Sequence, residues 1–167
     1  MKKIATLFLL AFLIIPGSYC FAQEMDTYEA KSFNLKFDIP QGWETKIDQD
    51  EDVPSLEADS PDGSISLMVL IYKDASILPE DLFKSTTESL ALEIDGEYHQ
   101  EETNDMPAFI GQGSAVIADM KVGIVLMTAT YEENNYVIYI FTEYSSFNSN
   151  VEIMNKILDS FAPLDDE

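Results

Sequence analysis

Three stretches of the chain, Ile65 to Tyr72, Val122 to Tyr131 and Tyr136 to Phe141, are apolar on both sides of a two-residue alternation. Successive side chains of an extended strand point to opposite faces, so such runs are stable only in a sheet covered on both sides. An open, one-sided sheet is thereby excluded, and other parts of the chain must supply the covering layers. Glu132-Glu133-Asn134-Asn135, between the last two runs, is a polar connector of hairpin length, which makes that pair antiparallel. The sheet is expected to be largely antiparallel with a buried middle.

A second kind of alternation runs from Ser32 to Ile39, with Phe33, Leu35, Phe37 and Ile39 on one face and polar residues on the other. This reads as a strand with one wet face. Pro40 and Gly42 end it, Trp43 opens the next extended piece, and Ser60-Pro61-Asp62-Gly63 marks another turn. Two helices are available as cover. The first begins near Pro79 with Glu80 and Asp81 in its first turn, and its stripe of Leu78, Leu82, Phe83, Leu90 and Ile94 runs toward Gly96 as terminator. The second is expected to open on Ser149-Asn150-Val151-Glu152 as a capping box, with Ile153, Met154, Ile157, Leu158 and Phe161 as its stripe and Pro163 as its stop. The fold class is α+β, a sandwich of helices on an antiparallel sheet. Gln23 to Ala30 and Leu164 to Glu167 read as polar, mobile ends, leaving an ordered part of about 31–163.

The pattern resembles a known group. A strand ending in Ile39-Pro40, then Gly42-Trp43, a short hairpin, a mid-chain helix, a long antiparallel meander and a closing helix ending in Ser160-Phe161 is similar to the PsbP/Mog1/DcrB-like proteins. The resemblance spans roughly Ser32 to Pro163. It implies an α/β/α sandwich around a central, largely antiparallel sheet with two main covering helices. The group includes a photosystem accessory protein, a nuclear transport regulator and exported bacterial lipoproteins, so its fold does not fix a function. It brings no catalytic residues to positions of this sequence.

Residues 1–22 read as a secretory signal peptide. Lys2 and Lys3 precede an apolar run from Ile4 to Ile15, Pro16 and Gly17 end it, and Cys20 and Ala22 flank Phe21 as a small-x-small cleavage signal. The run is shorter than the ~20 residues a membrane span needs. Tyr19 stands where a lipid-attachment site takes a small residue, which argues against anchoring at Cys20. The expected product is one exported domain, 23–167, periplasmic or secreted, with no transmembrane segment after cleavage. Losing two lysines and no acid takes the formal net charge from −22 to −24 and removes the only cysteine. Stability must then come from a packed core, which a domain of ~150 residues can supply.

Composition excludes several chemistries. The chain has no arginine, one histidine and 31 acids, so nucleic acid and anionic membranes are not expected partners. Cysteine nucleophiles and closed Cys/His zinc sites are excluded in the mature chain. A Ser-His-Asp triad would need His99, and there is no Gly-x-Ser-x-Gly elbow to host its serine. Gly111-Gln112-Gly113 is a fragment of a phosphate loop and reads as a turn or bulge at a strand start.

Two acidic constellations remain as metal candidates. Asp48, Asp50 and Asp52 have the opening spacing of a calcium loop, but Val53 replaces the required glycine, Asp59 stands at the closing glutamate position and no helical pattern flanks them. If Glu97 to Glu101 is extended, Glu97, His99 and Glu101 share a strand face and a divalent cation. The bland alternatives are a solvated acidic loop and a charged edge that deters aggregation. Calcium is the only cofactor these residues suggest. Trp43, Tyr131, Tyr136, Tyr139 and Tyr144 form either a sugar or peptide platform or ordinary packing. The expected function is a non-catalytic exported binding or accessory domain with a protein partner. A divalent-cation protein and a carboxylate-only hydrolase are the alternatives.

Overall fold

The computed structural model describes residues 24–49, 52–74 and 76–164. Its strands are β1 (Met25–Ala30), β2 (Leu35–Pro40), β3 (Glu44–Asp48), β4 (Ser55–Asp59), β5 (Ile65–Tyr72), β6 (Glu93–Ile94), β7 (His99–Thr103), β8 (Met106–Ile117), β9 (Met120–Tyr131), β10 (Asn134–Glu143) and β11 (Ala162–Pro163). Helix α1 (Pro79–Ser89) lies between β5 and β6, and α2 (Phe147–Asp159) between β10 and β11. The large sheet runs β3-β4-β5-β10-β9-β8, and the outer edge of β8 is shared by β7 and β6. A small sheet runs β1-β2-β11. Every pairing is antiparallel.

The sandwich expected from the sequence is present, with one refinement. Helix α1 covers one face of the large sheet, where Leu82 and Phe83 pack with Ile124, Leu126 and Val137. The opposite layer is mixed, with α2 and the small sheet together burying Phe33, Leu35, Phe37, Ile157, Leu158 and Phe161 against Val69, Met127, Tyr136 and Ile138. In the central strand, β9 is buried continuously from Val122 to Ala129. In β5, by contrast, Ile65, Leu67, Val69 and Ile71 are buried while Ser66, Met68, Leu70 and Tyr72 are half-buried. The cause is the reach of α1, which packs on β8, β9 and β10.

Several boundaries differ from the expectations. Met25–Ala30 is a strand and not a mobile end: it pairs with β2 from Met25↔Pro40 to Ala30↔Leu35 and tilts Tyr28 onto Phe37 at 5.5 Å. An edge strand with one solvated side reads as polar in sequence. At the other end, Leu164 N–H donates to Asn34 O (3.2 Å); residues 165–167 lie outside the described residues, as do residues 1–22, read from sequence as a signal peptide, with Cys20 among them. Helix α1 starts on Pro79 as expected but ends at Ser89. There Ala91 takes the left-handed conformation (φ 48°), and its N–H donates to Glu88 O. Gly96 (φ +85°) turns the chain between β6 and β7 instead. Leu78 is 61% exposed and falls off the buried stripe.

Helix α2 opens at Phe147, not at a capping box on Ser149. A 3-10 turn over Tyr144–Ser146 precedes it and receives the Phe147 N–H at Tyr144 O, and the N-cap residue Ser146 makes no side-chain cap. Phe147 lies over β9 where Gly123 leaves room, since a Cβ at 123 would overlap its ring. Gly111-Gln112-Gly113 forms no turn. It sits inside β8, and Gly113 is required because β6 crosses so closely that a Cβ would overlap the Glu93 carbonyl.

Candidate functional site

The β7–β8 hairpin turns on Asn104 and Asp105, both left-handed (φ 47° and 67°), as a two-residue hairpin turn of the primed type requires. From that turn Asn104 Nδ2 donates to Asp159 O (3.0 Å) and Phe161 O (2.8 Å). One side chain thus satisfies carbonyls at the end of α2 and ties the hairpin to the helix. Between the two elements lies an open cleft of about 330 Å³. Asp95, Glu97, His99 and Glu101 line one side, Asn155 and Asp159 of α2 the other, and Ile110, Val125 and Leu158 contribute apolar surface.

Glu101 is the most constrained carboxylate of the group. Thr103 Oγ1 donates to its Oε1 (2.8 Å), and His99 Nε2 lies 3.2 Å from its Oε2. Burial, and then the nearby charge of Glu101, hold the Asp159 carboxyl above the usual carboxylate range. The carbonyl end of a helix carries partial negative charge. Four carboxylates and that helix end therefore make the cleft attractive to cations and repellent to anions.

Of the residues singled out from sequence, Glu97, His99 and Glu101 do reach one cleft. Glu97 precedes β7, however, so a shared strand face is not what brings it there. Among the described residues, no three His, Cys, Asp or Glu side chains are grouped to hold a metal ion. Asp48 ends β3 opposite Ser55, and Asp52 lies in the connection to β4; Asp50 lies outside the described residues. Asp95, Asn155 and Asp159 were not foreseen. The contact that brings α2 to the hairpin is the Asn104 side chain, which leaves no periodic trace in sequence.

The aromatic residues form no common platform. Tyr136 is fully buried, its hydroxyl donating to Phe33 O (2.9 Å), and burial pushes its phenol up to about 12. Tyr131 packs on the α2 side of the sheet and Tyr139 on the α1 side. Exposed Tyr144 carries Lys121 Nζ 3.9 Å from its ring centroid. Trp43 stands apart from all of them, half-buried beside a second groove.

No protein-family model matches the sequence, and no curated protein matches it. Among solved structures, cyanobacterial PsbP (CyanoP) from Synechocystis sp. PCC 6803 superposes over 90% of this chain and 98% of its own, with a TM-score of 0.65 and 11% identity. The fold is PsbP-like. A protein of Bacteroides thetaiotaomicron VPI-5482 shares it over 84% of this chain, which spans 48% of that protein (TM-score 0.55, 9% identity). PA94 of Pseudomonas aeruginosa, a protein of unknown function, shares it over 81% of this chain and 94% of its own (TM-score 0.51, 10% identity).

The structure also gives the PsbP-like sequence signals their physical roles. Gly42 (φ +86°) lets the chain turn so that Trp43 N–H donates to Pro40 O (3.4 Å). Asp38 N–H donates to Ser160 Oγ (2.8 Å), and Phe161 stacks on Phe37 at 4.5 Å and 13°. Ser160-Phe161 thus closes α2 onto β2 by one polar and one aromatic contact. Among the described residues, no helix is long and apolar enough to cross a membrane.

Proposed function

We propose that this chain is an exported, non-catalytic binding domain that takes a lysine- or arginine-bearing segment of a protein partner in the cleft between β7 and α2. The observation that carries this reading is the convergence of Asp95, Glu97, Glu101 and Asp159 around an open cleft with apolar surface at its base. Cationic side chains place their charge against the carboxylates and their aliphatic stems against Ile110, Val125 and Leu158. Asp159 adds support, because a carboxyl held above its usual range by burial and a like charge is relieved by an incoming cation.

Isothermal titration with a lysine-rich peptide tests it. Binding is expected to weaken steeply between low and high sodium chloride, and Glu101→Gln and Asp159→Asn should each weaken it further. Asp159→Asn should at the same time hold or raise the Tm, since it removes an unfavourable charge. Peptide binding that ignores both substitutions overturns the cleft as the site. The divalent-cation reading of Asp48, Asp50 and Asp52, or of Glu97, His99 and Glu101, is checked alongside: calcium must raise the Tm beyond sodium at equal ionic strength. Steady turnover of a hydrolytic substrate, abolished by His99→Ala, would replace both readings.

A further inference from the structure

A second groove, of about 500 Å³, opens where three segments meet. Trp43 comes from the turn before β3, Ser60 to Ser64 from the β4–β5 turn, and Ser149 and Asn150 from the first turns of α2. Its chemistry is unlike that of the acidic cleft. The lining holds one carboxylate, Asp62, and no lysine or histidine.

The polar groups here are fixed in advance. Ser60 Oγ (2.8 Å), Ser64 Oγ (2.7 Å) and Ser64 N–H (3.0 Å) all donate to Asp62 Oδ1. The Asp62 carboxylate lines the groove. Asn150 Nδ2 donates to Thr142 Oγ1 (3.0 Å), which orients the amide. A carboxylate and an amide, each held by hydrogen bonds of its own, therefore line the same groove as the only tryptophan of the chain, itself half-buried. A sugar ring has that complementary build, with C–H surface on its faces and hydroxyl donors around its edge. Ligand sites generally combine an apolar or aromatic wall with a few placed polar groups.

We infer that the groove bounded by Trp43, Asp62 and Asn150 binds a neutral saccharide. The ring packs against Trp43 and its hydroxyls donate to the Asp62 carboxylate and to Asn150 Oδ1. A neutral ligand meets no repulsion from a chain of formal net charge −22, and its binding is insensitive to salt, unlike that of a cationic segment. The hydrogen bonds from Ser64 and Ser60 hold the Asp62 carboxyl down to about 2, so it stays an acceptor throughout the physiological range.

The lone tryptophan makes the test specific, because its fluorescence reports on this groove and no other. Maltotriose, cellotriose, chitotriose and mannotriose are titrated against the protein while Trp43 emission is read. At least one is expected to give a saturable change that is the same in low and high salt. Asn150→Ala, which leaves the β4–β5 turn intact, should weaken that binding by about tenfold, the effect of one good hydrogen bond. Asp62→Asn should weaken it as well. Pull-down on insoluble cellulose, chitin, amylose and mannan separates the sources: retention marks a surface or wall glycan, and binding to trisaccharides alone marks a free sugar. No saturable response to any of the four sugars, or binding unchanged by Asn150→Ala, overturns the inference. Neither result touches the peptide reading of the acidic cleft, whose variants and salt dependence are separate.

Discussion

Under α2 and the small sheet, the large sheet is closed by residues drawn from both ends of the fold, whereas under α1 it is closed by one stretch of chain, the eleven-residue helix with Ile77, Leu90, Leu92 and Ile94 beside it. The first side carries directed polar contacts as well as apolar burial: Tyr136 to Phe33, Asp38 to Ser160, and Asn104 to the end of α2. On the second, Leu82 and Phe83 are the buried helix residues, with part-buried hydrogen bonds from Thr128 Oγ1 to Pro79 O (2.7 Å) and from Asn135 Nδ2 to Asp74 O. Directed contacts between distant segments make the α2 side a unit that opens only with the whole fold. The α1 side has fewer such contacts, so its local opening is expected to cost less.

The largest effect should come from removing the aromatic stack. Phe161→Ala is expected to cost about 3–5 kcal/mol and Leu82→Ala about 2–3 kcal/mol, both measured by urea unfolding. In Leu82→Ala, amide exchange should rise in α1 while α2 stays protected. Equal loss of protection in both helices would break the contrast.

Next comes Tyr136→Phe, which strands the Phe33 carbonyl and should cost about 1–3 kcal/mol. Thr128→Val on the other side removes one hydrogen bond and should cost about 0.5–1.5 kcal/mol. A reversed order would mean that the α1 side carries the stronger polar lock.

The last comparison is a pH effect. The folded Tyr136 phenol is pushed up to about 12 from an ordinary value of 10. The unfolded chain therefore releases that proton first as pH rises. Stability is full below about pH 10 and is lost on the way to about 12. Tm against pH should fall less steeply over this window in Tyr136→Phe than in the parent protein.

Elements that bury a face in a regular period were legible in sequence. The run read from Val122 to Tyr131 is buried continuously as far as Ala129, and α1 begins at Pro79 with acids behind it. Events decided by a partner elsewhere were not legible. Ala91 ends α1 in a conformation that sequence assigns to glycine, because Leu90 and Ile94 are drawn to the same apolar cluster. Strand β1 has one buried side and reads as a tail. Of the acidic cleft, only Glu97, His99 and Glu101 were visible, since Asp159 arrives through α2. The overlap of Gly113 with β6 was equally hidden, because proximity to another backbone leaves no mark except the glycine itself.

The small sheet has a consequence in time. β8, β9 and β10 are neighbours in sequence joined by two-residue turns at 118–119 and 132–133, so they pair early as the chain is made. The layer that covers them does not. β2 receives β11, Ser160 and Phe161 only after the whole meander has passed. Leu35 and Phe37 therefore lack their contacts with Pro163 and Phe161 until nearly the whole chain has been made. The first strands of the chain thus take their final cover from its last residues, Phe161 on Phe37 and Pro163 beside Leu35.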